Sequence, residues 1–463
     1  MPNVLTIAAA SALALLAGCA HAPVPAGVRP TTGAQLAVPV DYYRLANGLR
    51  VVLSSDTSAP TVTVAVYYHI GFRTEPRDRT GFAHLFEHLM FEETANLAKG
   101  EADRIISGNG GIKNGSTRMD FTNYYQVVPS HVLEPVLFIE ADRMRGLALS
   151  AASLQNQKDV VKNEVRVNVL NRAYGGFPWL DLPPHANVNW FNAHNFYGEF
   201  DDIDAATLAD AQAFYDTYYV PANAVLVVAG DFEPDPTRAA IERYFAPLPS
   251  RPEPARPDVA EPPQTAERIA TDRDPNAPRP AIAWGYHVPP RNSPQWYAFG
   301  MLDMILLQGE DSRLWQRLVK DRGYGESVDG GMNLLGNMLD DGGPSLWTAY
   351  LIHDAGASDD AMTRDLDDVI ARIQREPVPA AELERALTKV RSALYDIADS
   401  PTRFGLVDLL ACAALFDDDP ARINRIEADF RQVTPALLQQ TARAYLTRAN
   451  RTRLSLEAGK ATP

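Results

Sequence analysis

The chain has 463 residues, 46% of them hydrophobic, enough for two or more domains with their own cores. A formal net charge of −15 argues against nucleic acid as a partner and mildly favours basic polypeptides. Only two cysteines occur, Cys19 and Cys412, so a disulfide framework is excluded.

The N-terminus reads as a targeting segment. Leu5 to Leu16 is small and apolar, too short for a permanent bilayer span, and runs into Leu16-Ala17-Gly18-Cys19. That ending resembles a bacterial lipobox, in which Cys19 becomes the lipidated first residue of the mature chain. The preceding Met1-Pro2-Asn3 lacks the usual Lys or Arg. The expectation is a signal peptide over 1–19 and a periplasmic protein of the bacterial envelope that meets a membrane only through a lipid anchor. Residues 20–36, rich in Pro, Ala and Gly, read as a flexible tether.

A first domain is expected over 37–250. Asn47-Gly48 between Tyr42–Leu45 and Leu49–Leu53 is a hairpin signal. Thr61 to His69 is β-branched and aromatic and predicts a strand. A helix follows over 81–93, then a strand over 123–128 and a helix capped by Ser130 that reaches Arg145. A long helix is expected from Ala151 to Asn171, with Leu154, Val161 and Val165 at helical spacing. Helix 208–219, strand 224–230 and helix 236–245 close the domain. Without a strict βαβ rhythm, the class is α+β.

Residues 251–279, rich in proline and charge, read as a linker. The pattern restarts over 280–460: Pro280–His287 plays the part of Thr61–His69, and Ala211–Gly230 parallels Thr441–Gly459. Two homologous domains are expected, each a mostly antiparallel sheet flanked by helices. Cys412, inside the apolar run Leu409–Leu415, is expected to be a buried core thiol.

The chemistry lies in the first copy, in His84-Leu-Phe-Glu87-His88. Two histidines four apart share one helical face. Imidazoles bind zinc, and a neighbouring carboxylate that stays off the metal can activate a zinc-bound water. The order H-x-x-E-H is that of inverzincin metallopeptidases. A hydrolytic zinc needs three protein ligands and one open position. Glu92, Glu93, Glu140, Asp142 and Glu164 are the downstream carboxylates, and chemistry alone leaves the third ligand open among them.

The sequence resembles the pitrilysin-type zinc metallopeptidases, in the short two-domain form of mitochondrial processing peptidase subunits and bacterial heterodimeric homologues. The resemblance rests on Gly81–Phe91 with Thr94, on Gly110–Thr117, on Asp120–Tyr125 and on Tyr219–Asp231. It covers most of 40–250 and, more weakly, 275–460. It implies one Zn2+ held by His84, His88 and Glu164, which stands 76 residues after His88. It implies that Glu87 takes a proton from the zinc-bound water and passes it to the leaving amine. It also implies that Asn114, Gly115, Ser116 and Thr117 form an edge strand that pairs with an extended peptide.

Two positions depart from the family pattern. Gln157 stands where a Glu near the metal is usual; it keeps hydrogen bonding and loses the charge. The family's second domain usually supplies an Arg and a Tyr seven apart. Here Val319 and Glu326 take those places, in the alignment that matches Ser312-Arg-Leu and Arg322-Gly323. Arg317 and Tyr324 have the same spacing, so a shifted register would make them the transition-state pair. The expectation is an exported zinc endopeptidase or oligopeptidase subunit, completed by a homologous chain that carries the Arg/Tyr pair, or paired as a homodimer. The competing expectation is a non-catalytic binding or assembly subunit that keeps the fold. His194, in Ala193-His-Asn-Phe-Tyr-Gly198, reads as structural, and His69, His131, His185, His287 and His353 have no ligand spacing.

Overall fold

The computed structural model describes residues 36–459. The expected leader 1–19, with Cys19, and the expected tether up to residue 35 lie outside the described residues.

Six strands form the first sheet: β1 (Asp41–Arg44), β2 (Arg50–Ser55), β3 (Thr61–Tyr68), β4 (Ile112–Thr117), β5 (Thr122–Pro129) and β6 (Ala224–Gly230). Their spatial order is β1-β2-β6-β3-β5-β4. Only β2 and β6 run parallel. Asn47-Gly48 turns the β1–β2 hairpin, with Gly48 at a φ of 93°. Along β3, Val62, Val64, Val66 and Tyr68 bury on one face and Ala65 and Tyr67 on the other. Side chains alternate along a strand, so a sheet covered on both faces reads as a continuous apolar run.

The first face packs beneath α1 (Phe82–Leu89), α2 (Glu101–Gly108) and α3 (Leu133–Arg145), and α4 (Ala151–Val165) lies along α1. The opposite face is closed by the helix Phe404–Asp417 from the second half, whose residues pack on β2, β3 and β6. That helix is apolar nearly all round, as a helix buried on every side must be. Cys412 lies inside it, buried as expected, and burial pushes its thiol well up.

Five strands form the second sheet: β7 (Arg268–Asp274), β8 (Ala281–His287), β9 (Asp329–Gly331), β10 (Leu346–Ile352) and β11 (Arg451–Ala458). The order is β7-β11-β8-β10-β9, again with one parallel pair, β7 and β11. It repeats the run β2-β6-β3-β5-β4 in both order and direction. The fold is therefore α+β, with two mostly antiparallel sheets flanked by helices.

Local details differ from the sequence reading. Residues 268–274, inside the stretch read as linker, form the edge strand β7, whose residues alternate between half-buried and exposed. Ser130 does not cap α3: its hydroxyl donates to Asp231 at 2.7 Å, and a 3-10 turn, Ser130–Val132, precedes the helix. The long helix keeps its start, where Ser150 accepts from the Ser153 amide, but widens after Val165 into a π turn over Arg166–Leu170. Among the described residues, no helix is long and apolar enough to cross a membrane.

Candidate metal centre

Helix α1 brings His84 and His88 to one face, one turn apart, with ring centroids 5.0 Å apart. Helix α4 lays Glu164 across that face. Glu164 Oε2 is 3.2 Å from His88 Nε2 and 3.8 Å from His84 Nε2. The three ligand atoms lie within 4.8 Å of one another. Around a tetrahedral zinc with bonds of about 2.0–2.1 Å, ligand atoms sit about 3.3 Å apart, so the donor set and spacing fit that ion. His84 is buried, while His88 and Glu164 are half-exposed, which leaves one side open.

The electrostatics favour the ligand forms. Burial, aided by the neighbouring His88, lowers His84 to about 4, so its imidazole stays neutral at working pH. The hydrogen bond from His88 holds Glu164 below its ordinary value. His84 Nδ1 is buried and has no hydrogen-bond partner among the described residues.

Glu87 borders the same face. Its Oε2 accepts a 2.7 Å hydrogen bond from Thr117 Oγ1, at the end of β4. Burial raises its proton affinity, partly offset by that bond and by His88. Gly115 lies directly under it: a Cβ there would come 3.2 Å from Glu87 Cγ, from the Phe91 ring and from the Asn123 carbonyl. A glycine is what lets β4 approach α1 so closely. Asn114 is exposed, and Ser116 Oγ donates to Asn123 Oδ1 at 2.6 Å. β4 is an edge strand whose only paired neighbour among the described residues is β5.

The other sequence candidates have different partners. Gln157 Nε2 donates to Glu92 Oε1 at 2.6 Å, and Glu92 also pairs with Lys99. Gln157 is thus tied to Glu92 and is not one of the three gathered ligands. Glu140 is buried between Gln126 and Arg143, and Asp142 accepts from Thr94 and Asn96. Arg317 and Tyr324 do meet, but on Asp365 of the helix Asp359–Arg375: Arg317 Nη2 lies 2.6 Å and the Tyr324 hydroxyl 2.8 Å from its carboxylate. Arg322 binds the same group. The shifted register therefore gives a pair whose polar atoms are held by Asp365. Of the unshifted pair, Val319 is half-buried against the apolar cluster that includes Leu314 and Leu318, and Glu326 pairs with Arg279.

Two contributors escaped the sequence reading. Fully buried Glu75 accepts from the amides of Gly81 (2.9 Å) and Ala83 (2.5 Å), satisfying the first turn of α1. His194 stacks on Trp190 with its Nε2 3.9 Å from that carboxylate, which accords with a structural role. Tyr197 places its ring 5.2 Å from that of His84. The available signal was Gly198, whose positive φ marks a tight turn beside Tyr197.

A profile described as Insulinase (Peptidase family M16) matches residues 50–173, and one described as Peptidase M16 inactive domain matches 205–390. The chain is similar to the zinc protease PqqE of Helicobacter pylori, 31% identical over 286 residues, covering 59% of this chain and 62% of that one. It is similar to a probable mitochondrial-processing peptidase subunit beta of Arabidopsis thaliana, 26% identical over 212 residues, covering 45% and 39%. The aligned stretch thus spans less than two thirds of either relative's length. The crystal structure of a protease from Helicobacter pylori superposes with a TM-score of 0.81 at 25% identity, covering 91% of this chain and 99% of that one.

Proposed function

The chain belongs to peptidase family M16, and on that premise we propose that it is an exported, zinc-dependent endopeptidase or oligopeptidase subunit that hydrolyses extended peptides. The observation that carries this reading is the convergence of His84 Nε2, His88 Nε2 and Glu164 Oε2 beside Glu87.

His84, His88 and Glu164 would hold the metal. Bound zinc supplies Lewis acidity toward a carbonyl oxygen and lowers the pKa of water. Glu87 takes the proton of the attacking water and returns it to the leaving amine. Its raised proton affinity suits a group that must carry a proton between two steps. Thr117 keeps that carboxylate on station, and the free edge of β4 pairs with the backbone of the peptide from Asn114 to Thr117. Backbone pairing accounts for tolerance of many sequences.

The reading includes export through the leader 1–19 with lipidation at Cys19, a zinc-bearing domain over 37–250 and a homologous domain over 280–460. It also includes a homologous partner chain. With Val319 and Glu326 in the second half, and Arg317 and Tyr324 engaged by Asp365, a partner that brings its own Arg and Tyr would raise turnover. One relative bears the name of a subunit, in line with such pairing. The rival, a non-catalytic subunit that keeps the fold, draws on the Gln157–Glu92 bond where a second acid is usual.

Zinc content and cleavage of an unstructured peptide, with and without chelator, in wild type and Glu87→Gln, test the proposal. Chelator-sensitive cleavage lost in Glu87→Gln with zinc retained supports it. Zinc bound without turnover, even with homologous chains added, favours the rival.

A further inference from the structure

We propose that Tyr197 is a catalytic residue of this site, donating a hydrogen bond to the scissile carbonyl oxygen as it gains negative charge, with the Arg118 guanidinium reinforcing it. The inference rests on the peptidase reading above and assigns that reading a donor within the chain itself.

Tyr197 is built in beside the candidate ligand His84. Its ring lies 5.2 Å from the His84 ring and is wedged edge-on against Trp179 (5.3 Å) and Phe72 (5.8 Å). Its backbone is pinned too: the Tyr197 amide donates to Asn195 Oδ1 at 3.1 Å. Gly198, at a φ of 77°, rests on the start of α1, where an added Cβ would come 2.3 Å from the Gly81 nitrogen. A Cβ on Gly81 would in turn come 2.9 Å from the Tyr197 carbonyl. The segment and the first turn of the ligand helix are therefore locked together, and the ring cannot drift from His84. The hydroxyl, by contrast, has no hydrogen-bond partner among the described residues and lies within the field of Glu164, Glu87 and Arg118. A packing role alone would be met by a phenylalanine; an oriented, unengaged hydroxyl beside the ligands and the base is suited to a substrate oxygen.

Arg118 follows Thr117, whose hydroxyl holds Glu87, so the strand end that fixes the base also presents the guanidinium. Its charge is felt at both Glu87 and Tyr197. Among the described residues its side chain forms no ion pair or hydrogen bond. Its charge also lowers the pKa of the buried Asp340 and Asp408, against the rise that burial causes. A cation and a fixed donor aimed at developing negative charge are worth far more in a site shielded from water than on a surface. Arg317 and Tyr324 cannot serve in this way while Asp365 binds both.

The test uses the full chain loaded with zinc and two probes. One is a short phosphinic peptide, whose tetrahedral group carries the negative oxygen. The other is the unmodified peptide of the same sequence, bound to the Glu87→Gln background. Calorimetry gives both affinities, and metal analysis gives zinc content. Tyr197→Phe should weaken the phosphinic peptide by roughly 10- to 100-fold, in the range of a lost oxyanion donor, and leave zinc content and unmodified-peptide binding unchanged. Arg118→Gln should act in the same direction, and Arg118→Lys should recover part of the loss. Equal phosphinic-peptide affinity in wild type and Tyr197→Phe overturns the proposal while leaving the peptidase reading intact. A wild-type chain that holds zinc but binds neither peptide overturns the peptidase reading, and this inference with it.

Discussion

The Thr117 hydroxyl donates to the Glu87 carboxylate at 2.7 Å, so the edge strand β4 and helix α1 are joined at the proposed base itself. The strand that would hold a peptide is the strand that orients the group acting on it. Thr117→Val keeps the shape and removes the bond. The bond lowers the pKa of Glu87, so its loss raises it. The base must be ionised in the free enzyme, so the acid limb of the kcat/KM profile should move to higher pH. Activity at neutral pH should fall by about 10-fold, within the usual worth of a positioned base. An unmoved acid limb would show that the bond does not tune the base.

Gly115→Val places carbon against Glu87 Cγ, the Phe91 ring and the Asn123 carbonyl, each 3.2 Å from a Cβ. Overpacking of this kind costs about 1–3 kcal/mol of stability. Peptide cleavage should be lost by more than the stability change accounts for, while zinc content persists, because His84, His88 and Glu164 do not touch this position. Thermal melts and metal analysis on one preparation check it.

The metal-free chain should weaken in acid through His84. Burial holds this imidazole at about 4 in the fold against an ordinary 6.5. Between those values the unfolded chain binds the extra proton, so stability is complete above about 6.5 and falls as the pH drops toward 4. The loss is on the order of 3 kcal/mol at the acid end. Other buried groups also titrate, so the contrast is with His84→Gln, whose pH–melting curve should lack this component. Parallel curves for the two proteins would contradict it.

Arg317→Ala should lower the melting temperature and leave zinc-dependent cleavage within about twofold at permissive temperature, because the side chain serves the buried carboxylate of Asp365. Removing one donor of a charged hydrogen bond typically costs about 1–3 kcal/mol. Abolished cleavage with unchanged melting would return Arg317 to the active site.

Much of the architecture is legible because it is local. Ala211–Gly230 and Thr441–Gly459 both spell helix, break, strand, and both fold so, as Leu208–Tyr218 with β6 and Pro435–Tyr445 with β11. β7 is hidden because a one-sided edge strand carries Arg268, Asp272, Arg273 and Asp274, the composition of a linker. At the centre, the spacing of His84, Glu87 and His88 announces one helical face. Residue chemistry alone does not separate Glu164 from its rivals; the family resemblance points to it, and in three dimensions it meets both histidines while Glu92 pairs with Lys99 and Gln157, and Glu140 with Gln126 and Arg143. Glu75 and Tyr197 leave no periodic trace: Glu75 reaches the amides of Gly81 and Ala83 across a turn, and Tyr197 reaches His84 from a distant segment, contacts that no hydrophobic period encodes.

The helix Phe404–Asp417 imposes an order on the life of the chain. It packs on the face of the first sheet opposite α1, which carries Val52, Ala65, Tyr67, Val225, Val227 and Ala229. It is made about 190 residues after β6 ends. At a synthesis rate of about 5–20 residues per second, that apolar face waits roughly 10–40 seconds for its cover. During that interval the first half is a sticky, half-finished sheet, suited to being held unfolded by a chaperone. A chain truncated before residue 404 would remain in that condition and aggregate, even with every proposed metal ligand present.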